Sequence, residues 1–335
     1  MKIFLLGAGG FIGSHLIEKI LRTSDYEVSA FDINVSRLEK FKGNKRFTCF
    51  QGDIFKETDY IRDQVAECDV VLPFAGVAMP SYYLTHPLWT FELDFEQNLK
   101  VVRMCAKYKK RVIFPSTSEV YGLANENILM EDESPLVTGP ICRMRWIYSC
   151  SKQMMDRVIS AYGFEKGLQY TLFRPFNWIG HGLDTMEDAR QHRARSITQF
   201  IYDILNRGGV NLVGGGTQCR SFTWIEDGTD ALMIILKNEK GKADSQIFNI
   251  GNPNNNYSIR ELAEIVIDEM KKFPRFADKA AAAKLNIISP EKYYSGGYDD
   301  TKNRIPSIEK IKQLGWAPQV SLRDAVRMTL EAYHE

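Results

Sequence analysis

The sequence predicts an α/β protein built on a doubly wound parallel sheet. Short, nearly continuous apolar runs alternate with helical patterns through the first half of the chain. Such runs are typical of strands that helices cover on both faces. A glycine-rich turn follows the first run directly, and the carboxyl ends of parallel strands are where open sheets of this kind bind ligands. We therefore expect the ligand-binding site at this edge of the sheet.

The order of the elements follows from these patterns. The predicted strands are 2–6, 27–31, 47–50, 69–73, 111–115 and 170–174, and the predicted helices of this half lie near 12–22, 87–107 and 147–163. Beyond about residue 175 the pattern is less regular, with helices expected near 192–206, 258–273 and 320–333 and short strands near 211–213 and 246–249. We expect a nucleotide-binding domain at 1–175, with later segments interleaved, and a smaller α/β lobe at 176–335.

Composition excludes several classes of function. The 335 residues are 44% apolar and 25% charged, and the net charge of +1 argues against nucleic acid or an anionic membrane as a partner. No apolar run is long enough to span a bilayer, and the N-terminal run is too short for a signal peptide. The six cysteines and five histidines show no metal-ligand spacing. We predict a cytoplasmic protein with reduced cysteines and no metal site.

The glycine-rich turn predicts a dinucleotide site of the Rossmann type. In "LLGAGGFIGSHL" the glycines allow a pyrophosphate to approach the backbone at the start of a helix. Asp32 ends the second strand, where a carboxylate accepts hydrogen bonds from an adenosine ribose and repels a 2′-phosphate. This favours NAD as the cofactor, although Arg37 leaves NADP open. The predicted contacts of the turn are Gly7, Gly10, Phe11, Ile12 and Gly13.

The third strand ends in "QGDIF", which adds Asp53 and Ile54 to the predicted cofactor site. Asp53 could meet the adenine amine, but a lone aspartate after a strand is nearly as typical of a turn cap.

Two further segments carry candidate catalytic groups. Thr117, Ser118 and Glu119 follow the fifth strand in "FPSTSEVYG", and Tyr148 and Lys152 are four positions apart in a predicted helix. Residues at this spacing share one helix face, so the lysine could lower the pKa of the tyrosine until it takes a proton at neutral pH. Each feature taken alone has an ordinary alternative: a polar turn, or a chance pairing of two common residues.

Specific motifs carry a resemblance to a known family. They are "LDFEQNL", "PSTSEVYG", "RWIYSCSKQ", "FRPFNWIG", "FNIGNPNN" and "YYSGGYDDTKNRIPS". Over nearly its whole length the chain resembles the extended short-chain dehydrogenases/reductases that act on nucleotide sugars. It is most similar to UDP-glucuronate decarboxylases, above all the decarboxylase half of the bifunctional polymyxin-resistance enzyme, and to UDP-apiose/UDP-xylose synthase.

The resemblance implies a role for each candidate residue. Tyr148 would take the proton of the sugar C4 hydroxyl with Lys152 beside it, while the C4 hydride passes to NAD⁺. Thr117, Ser118 and Glu119 would lie near C4 to C6, and Arg304 would face the substrate carboxylate. The substrate-binding residues implied are Tyr83, Arg145, Asn177, Arg195, Arg220, Tyr298 and Arg304.

The expected activity is NAD-dependent oxidative decarboxylation of UDP-glucuronate, through a UDP-4-keto intermediate, to UDP-4-keto-pentose, UDP-xylose or both. The segment 181–196 matches the decarboxylases poorly. A dehydratase, epimerase or isomerase of another UDP-hexose, such as an N-acetylhexosamine derivative, therefore stays open. A non-catalytic dinucleotide-binding regulator is a third alternative, but it would have no use for Tyr148, Lys152 and Glu119. The resemblance also implies a homodimer formed through the helices near 87–107 and 147–163.

Overall fold

The computed structural model describes residues 1–77, 79–289, 301 and 303–333. Its strands are β1 (Lys2–Leu6), β2 (Glu27–Asp32), β3 (Phe47–Gln51), β4 (Val70–Pro73), β5 (Arg111–Pro115), β6 (Tyr170–Pro175), β7 (Trp178–Ile179), β8 (Gly209–Val213), β9 (Cys219–Ser221), β10 (Thr223–Trp224), β11 (Gln246–Ile250), β12 (Asn256–Ser258) and β13 (Lys284–Ile288).

Helices surround these strands. They are α1 (Phe11–Thr23), α2 (Thr58–Glu67), α3 (Pro80–Thr85), α4 (Pro87–Phe91), α5 (Asn98–Tyr108), α6 (Trp146–Lys166), α7 (Met186–Arg190), α8 (Ser196–Arg207), α9 (Ile225–Lys237), α10 (Ile259–Met270), α11 (Pro274–Ala282), α12 (Glu309–Lys312) and α13 (Leu322–Glu331). A π-helical segment, Glu92–Gln97, joins α4 to α5, and a 3₁₀ turn, Ser118–Tyr121, follows β5. In the described part of the chain, no helix is both long and apolar enough to cross a membrane.

The central sheet confirms the predicted fold class. Seven parallel strands run in the order β11-β6-β5-β4-β1-β2-β3, with helices against both faces. The runs that predicted the inner strands are buried: Ile3 to Leu6 of β1 are at most 1% exposed. Covering both faces of a strand removes the in/out alternation, which explains why these strands read as continuous apolar runs.

The second half of the chain contributes to this sheet as well as to a separate lobe. β11 lies beside β6 in parallel register, from Gln246 opposite Thr171 to Ile250 opposite Pro175. The lobe contains the parallel pair β8 and β13, flanked by α8 and α10. Phe200 and Leu262 of the lobe belong to the same apolar core as Phe248 of β11. The boundary between domains at residue 175 stays a prediction.

Several elements differ from the sequence-based expectation. The helix expected near 87–107 is interrupted by the π segment, and α2 and α9 were not predicted. α2 buries only Ile61 and Val65, which is too few for a clear apolar period. α9 contains Gly228, where an added Cβ would lie 2.7 Å from the Trp178 ring. That glycine weakens the helical pattern but lets the two elements pack closely.

Candidate active site

A cavity of about 1780 Å³ opens along the carboxyl edge of the sheet. Its lining includes the turn after β1, the ends of β2, β4, β5 and β6, and part of α6. It also reaches the lobe, through α8 and β8. The cavity lies at the edge of the sheet where the sequence predicts the ligand-binding site.

The glycine turn brings bare backbone to this cavity. Gly7 has φ +74°, and an added Cβ there would lie 2.5 Å from the Ala75 amide nitrogen. A Cβ at Gly9 would lie 2.0 Å from the Asn34 carbonyl oxygen, and one at Gly13 would lie 2.7 Å from that of Ala8. Gly9, which the sequence reasoning missed, is therefore as restricted as the motif glycines. Phe11 and Ile12 also line the cavity.

The start of α1 fits a pyrophosphate. Gly10 is its N-cap, no side chain caps the helix, and its first turn contains no acidic residue. The first backbone N–H groups of a helix lack partners within it, so they attract anions.

Asp32 lines the cavity where a ribose would bind. Its carboxylate accepts the N–H groups of Gly9 at 2.8 Å and Asn34 at 2.9 Å, and burial raises its pKa. Asp53 and Ile54 line the same end of the cavity. Asp53 accepts the N–H of Phe55 at 3.0 Å, so its turn-capping function is present in the structure. The residues of this half of the cavity fit NAD.

Tyr148 and Lys152 meet the cavity on the buried face of α6. The Tyr148 ring stacks on that of Tyr83, with centroids 4.3 Å apart and planes 4° apart. Burial raises the pKa of Tyr148 well above its ordinary value, and the charges of Asp94 and then Glu119 raise it further. The expectation of a lowered pKa was therefore wrong for the protein without its ligands.

Lys152 is held by two groups that line the cavity. Its Nζ lies 3.1 Å from Oδ1 of Asp94 and donates to the Pro115 carbonyl at 3.2 Å. The Asp94 side chain is 0% exposed. Sequence reasoning missed Asp94, although it lies in the motif "LDFEQNL" that carried part of the resemblance.

Glu119 lies between two buried arginines. Nη2 of Arg145 donates to Oε2 at 2.7 Å, while Arg304 donates through Nη2 to Oε2 at 3.1 Å and through Nη1 to Oε1. Burial alone would raise the pKa of Glu119, but Arg304, Arg145 and Arg220 outweigh it and lower the pKa to about 2. Of the two arginines and Glu119, only Glu119 belongs to the described lining of the cavity.

Backbone pairing fixes Arg304 beneath the site. The N–H of Leu129 donates to the Ile305 carbonyl and the N–H of Ser307 donates to that of Leu129, both at 2.8 Å. Ser221 Oγ donates to the Arg304 carbonyl at 2.9 Å. These bonds place Arg304 beside Glu119, although the two residues are 185 positions apart in the sequence.

The other predicted substrate residues lie in different surroundings. Arg220 lines the cavity and donates to the carbonyls of Cys219 at 2.7 Å and Thr301 at 2.9 Å. Asn177 lines it with φ +38°. Arg195 also lines it, but its guanidinium donates to Asp184 at 2.8 and 3.0 Å and lies 5.9 Å from the centre of the Phe11 ring. Tyr298 lies outside the described residues.

Comparison with known proteins agrees with this geometry. Residues 3–251 match the model of the NAD dependent epimerase/dehydratase family. The crystal structure of the PbgP3 protein from Burkholderia pseudomallei is 46% identical, with a TM-score of 0.89 over 99% of this chain and 96% of that one.

Two more distant structures share the fold. They are UDP-glucose 4-epimerase from Thermotoga maritima with UDP-glucose, and UDP-glucuronic acid 4-epimerase from Bacillus cereus with UDP-glucuronic acid and NAD. Each is 22% identical, with a TM-score of 0.79 over 99% of this chain and 98% of the other. From the family match, the chain belongs to the NAD dependent epimerase/dehydratase family, as an enzyme of the extended short-chain dehydrogenase/reductase type with NAD as its cofactor.

Proposed function

We propose that the enzyme decarboxylates UDP-glucuronate and yields UDP-4-keto-pentose, UDP-xylose or both. The observation that carries this proposal is the arginine cluster at Glu119, in the 3₁₀ turn that packs against α6. Three guanidinium groups, from Arg304, Arg145 and Arg220, act on a single carboxylate. The excess of positive charge favours a sugar that brings a second carboxylate to this end of the cavity.

Oxidation at C4 is the first step of the proposed reaction. NAD⁺, when bound, accepts the hydride from C4 of the sugar. Tyr148, held by its stack on the Tyr83 ring and deprotonated to the phenolate when the cationic cofactor lies beside it, takes the proton of the C4 hydroxyl. The oxidised sugar is a β-keto acid, so the C4 ketone accepts the electrons of the bond to C6 as CO₂ leaves, and C5 then gains a proton.

Glu119 is better suited to orienting charge than to carrying a proton. With a pKa of about 2, its carboxylate stays ionised at neutral pH and is a weak proton acceptor. Its bonds to Arg145 and Arg304 hold both guanidinium groups in fixed positions. We infer that these cations orient the substrate carboxylate, since binding it tightly in the ground state alone would not raise the rate.

The diphosphate would bind on the lobe side of the cavity. Arg220 and Asn177 lie there, and a guanidinium is suited to diphosphate oxygens because it presents several donors in one plane. Arg195 has its guanidinium on Asp184 and near Phe11, so we assign it to the side of the glycine turn rather than to the sugar.

One observation favours a second candidate function. Arg304 already makes a two-point ion pair with Glu119, and neither Arg304 nor Arg145 is part of the described cavity lining. A neutral sugar would leave this pair intact. An epimerase, dehydratase or isomerase of another UDP-hexose, such as an N-acetylhexosamine derivative, would use the same oxidation at C4.

Incubation of the purified enzyme with NAD⁺ and UDP-glucuronate separates the two functions. Decarboxylation gives a product lighter by one CO₂, or by CO₂ and two hydrogens if the ketone leaves before it is reduced, together with trapped CO₂. Conversion of UDP-N-acetylglucosamine, with UDP-glucuronate unchanged, would overturn the decarboxylase proposal in favour of the second function. Tyr148→Phe is the negative control in both assays.

A further inference from the structure

The π-helical segment places a buried carboxylate directly against Lys152. Asp94 lies in Glu92–Gln97, where the extra residue in the turn interrupts the helix. One oxygen, Oδ1, lies 3.1 Å from Lys152 Nζ, and the other accepts the N–H of Val77 at 3.2 Å. An ammonium and a backbone N–H both suit a carboxylate, because neither of its oxygens is a donor.

Neighbouring residues fit around this contact. A Cβ added at Gly76 would lie 2.5 Å from Asp94 Oδ1 and 3.5 Å from Lys152 Nζ, which leaves no space for a larger residue. Asn98 Nδ2 donates to the carbonyls of Ala75 at 2.9 Å and Leu93 at 3.0 Å, and so ties the π segment to the loop after β4. The interrupted helix and this loop therefore form one support for the Lys152 ammonium.

We propose that Asp94 is a positioning residue that anchors the Lys152 ammonium and fixes the charge sensed by the Tyr148 hydroxyl. The inference rests on the proposed roles of Tyr148 and Lys152 and extends them to a residue that acts through Lys152. A buried cation would otherwise favour the phenolate strongly. Asp94 offsets that cation, so Tyr148 keeps its proton until a cationic ring is bound beside it.

Other titratable groups that face Tyr148 and Lys152 contribute less to this offset. Glu119 also raises the pKa of Tyr148, but less than Asp94 does, and it is paired with Arg145 and Arg304. Asp156, one turn beyond Lys152 on α6, is paired with Arg174 at 3.3 Å. Tyr83 of α3 contacts Tyr148 by stacking its ring on that of Tyr148. Asp94 is the acidic group that contacts Lys152 directly.

Ultraviolet titration of the cofactor-free protein tests the proposal. Subtracting the tyrosinate signal of a matched Tyr148→Phe variant isolates Tyr148 from the other tyrosines. We expect Asp94→Asn to move the Tyr148 transition to lower pH by about one to three units. Asp227→Asn is the control, because Asp227 is also buried and accepts two backbone N–H groups, at 3.0 and 3.1 Å, but lies outside the cavity. An unchanged Tyr148 transition in Asp94→Asn would overturn the proposal.

A second measurement covers the case in which Asp94→Asn folds poorly. Removing one partner of a buried ion pair leaves the other charge uncompensated, whereas replacing both with neutral groups is often tolerated. The double variant Asp94→Asn/Lys152→Met should therefore melt at a higher temperature than Asp94→Asn alone. Additive losses of melting temperature would show that the pair is uncoupled and overturn the proposal. Neither measurement uses a substrate, so failure of the UDP-glucuronate assay would leave them interpretable.

Discussion

Glu119 shows why burial alone does not predict the behaviour of an ionisable side chain. Burial disfavours its charge, yet the adjacent guanidinium groups of Arg304 and Arg145 lower its pKa to about 2. The pKa of Tyr148 changes in the opposite direction, because nearby acidic groups add to the effect of burial. The same cavity thus maintains an ionised carboxylate and a protonated phenol at neutral pH.

Replacing Tyr148 by phenylalanine should abolish turnover. The variant lacks the phenolate oxygen that takes the C4 proton, and a positioned proton acceptor is worth about 10²- to 10⁴-fold in rate. The stacked contact with Tyr83 survives, because the ring remains. Turnover with NAD⁺ and the preferred sugar nucleotide should fall by that factor, while calorimetry should give an almost unchanged affinity for UDP. Loss of UDP binding as well would show that the residue is structural.

Arg304→Lys should reduce decarboxylation more than it reduces binding of UDP. Lysine keeps the charge but cannot make the two-point contact with Glu119, so the substrate carboxylate loses its orientation. We expect kcat on UDP-glucuronate to fall about 100-fold, the usual cost of small misplacement. Lys310→Ala, which breaks an exposed ion pair with Asp132 further along the same segment, is the control. Full activity of Arg304→Lys would show that Arg304 does not orient the substrate carboxylate.

The pH dependence of stability should report the ion pairs of Glu119. Its pKa in the folded protein is about 2, below its ordinary value of 4.5. A lowered pKa means that the stabilisation is complete above pH 4.5 and is lost as the pH falls towards about 2. Urea unfolding of the wild type and Glu119→Gln at a series of pH values should show their difference shrinking over this interval. A constant difference across that range would contradict the assigned pKa.

At the scale of elements, the sequence predicted the strands and helices that have a clear apolar pattern. It missed those that depend on how particular residues pack against each other. The strands of the sheet were predicted because burial on both faces leaves continuous apolar runs, as in β1 and β5. The π segment Glu92–Gln97 was not, because one extra residue in a turn hardly changes the spacing of apolar residues. The missed helix α9 depends on the contact of Gly228 with Trp178, which no pattern along the chain encodes.

The glycine turn yields a sharp prediction at Gly9. A Cβ there would lie 2.0 Å from the Asn34 carbonyl oxygen, so the turn must move and displace the backbone N–H bonded to Asp32. We expect Gly9→Ala to weaken NAD binding at least about tenfold, measured by calorimetry. Gly43→Ala is the control: its φ of +87° makes an added side chain strained, but nothing lies within 4 Å of the added Cβ. Equal affinities in the two variants would show that Gly9 does not shape the cofactor site.

For the whole molecule, the candidate site joins segments that only the fold brings together. Glycine spacing and Asp32 pointed to the cofactor half, since both follow strands of the parallel sheet. Arg304 has no such local signal, because it reaches Glu119 through the pairing of its segment with Leu129. Arg304 was identified as a candidate through the resemblance to a family, and no pattern in the neighbouring residues indicated it. Neither the local patterns nor the resemblance identified Asp94, because its proposed function depends on a contact with Lys152 that only the structure shows.

The outer face of α6 predicts how two copies assemble. On this helix Cys150, Met154, Arg157, Ala161 and Phe164 are exposed at helical spacing. Met154 is 50% and Phe164 93% exposed. α4 and the π segment pack beside α6, and Leu88 of α4 is 74% exposed. Large apolar side chains grouped on adjacent helices are typical of an interface, so we propose a homodimer through α4, α5 and α6.

Met154→Glu should convert this dimer into a monomer. The substitution places a charge in the apolar contact but leaves the core intact, because the side chain is half exposed. Light scattering after gel filtration should give the mass of one chain for the variant and of two for the wild type. Ile287→Glu, on an exposed side chain of β13, should leave the dimer unchanged. A monomeric wild type would refute the proposal. Tyr148 and Lys152 lie on the buried face of the same helix. We therefore expect the monomeric variant to be less active than the dimeric wild type.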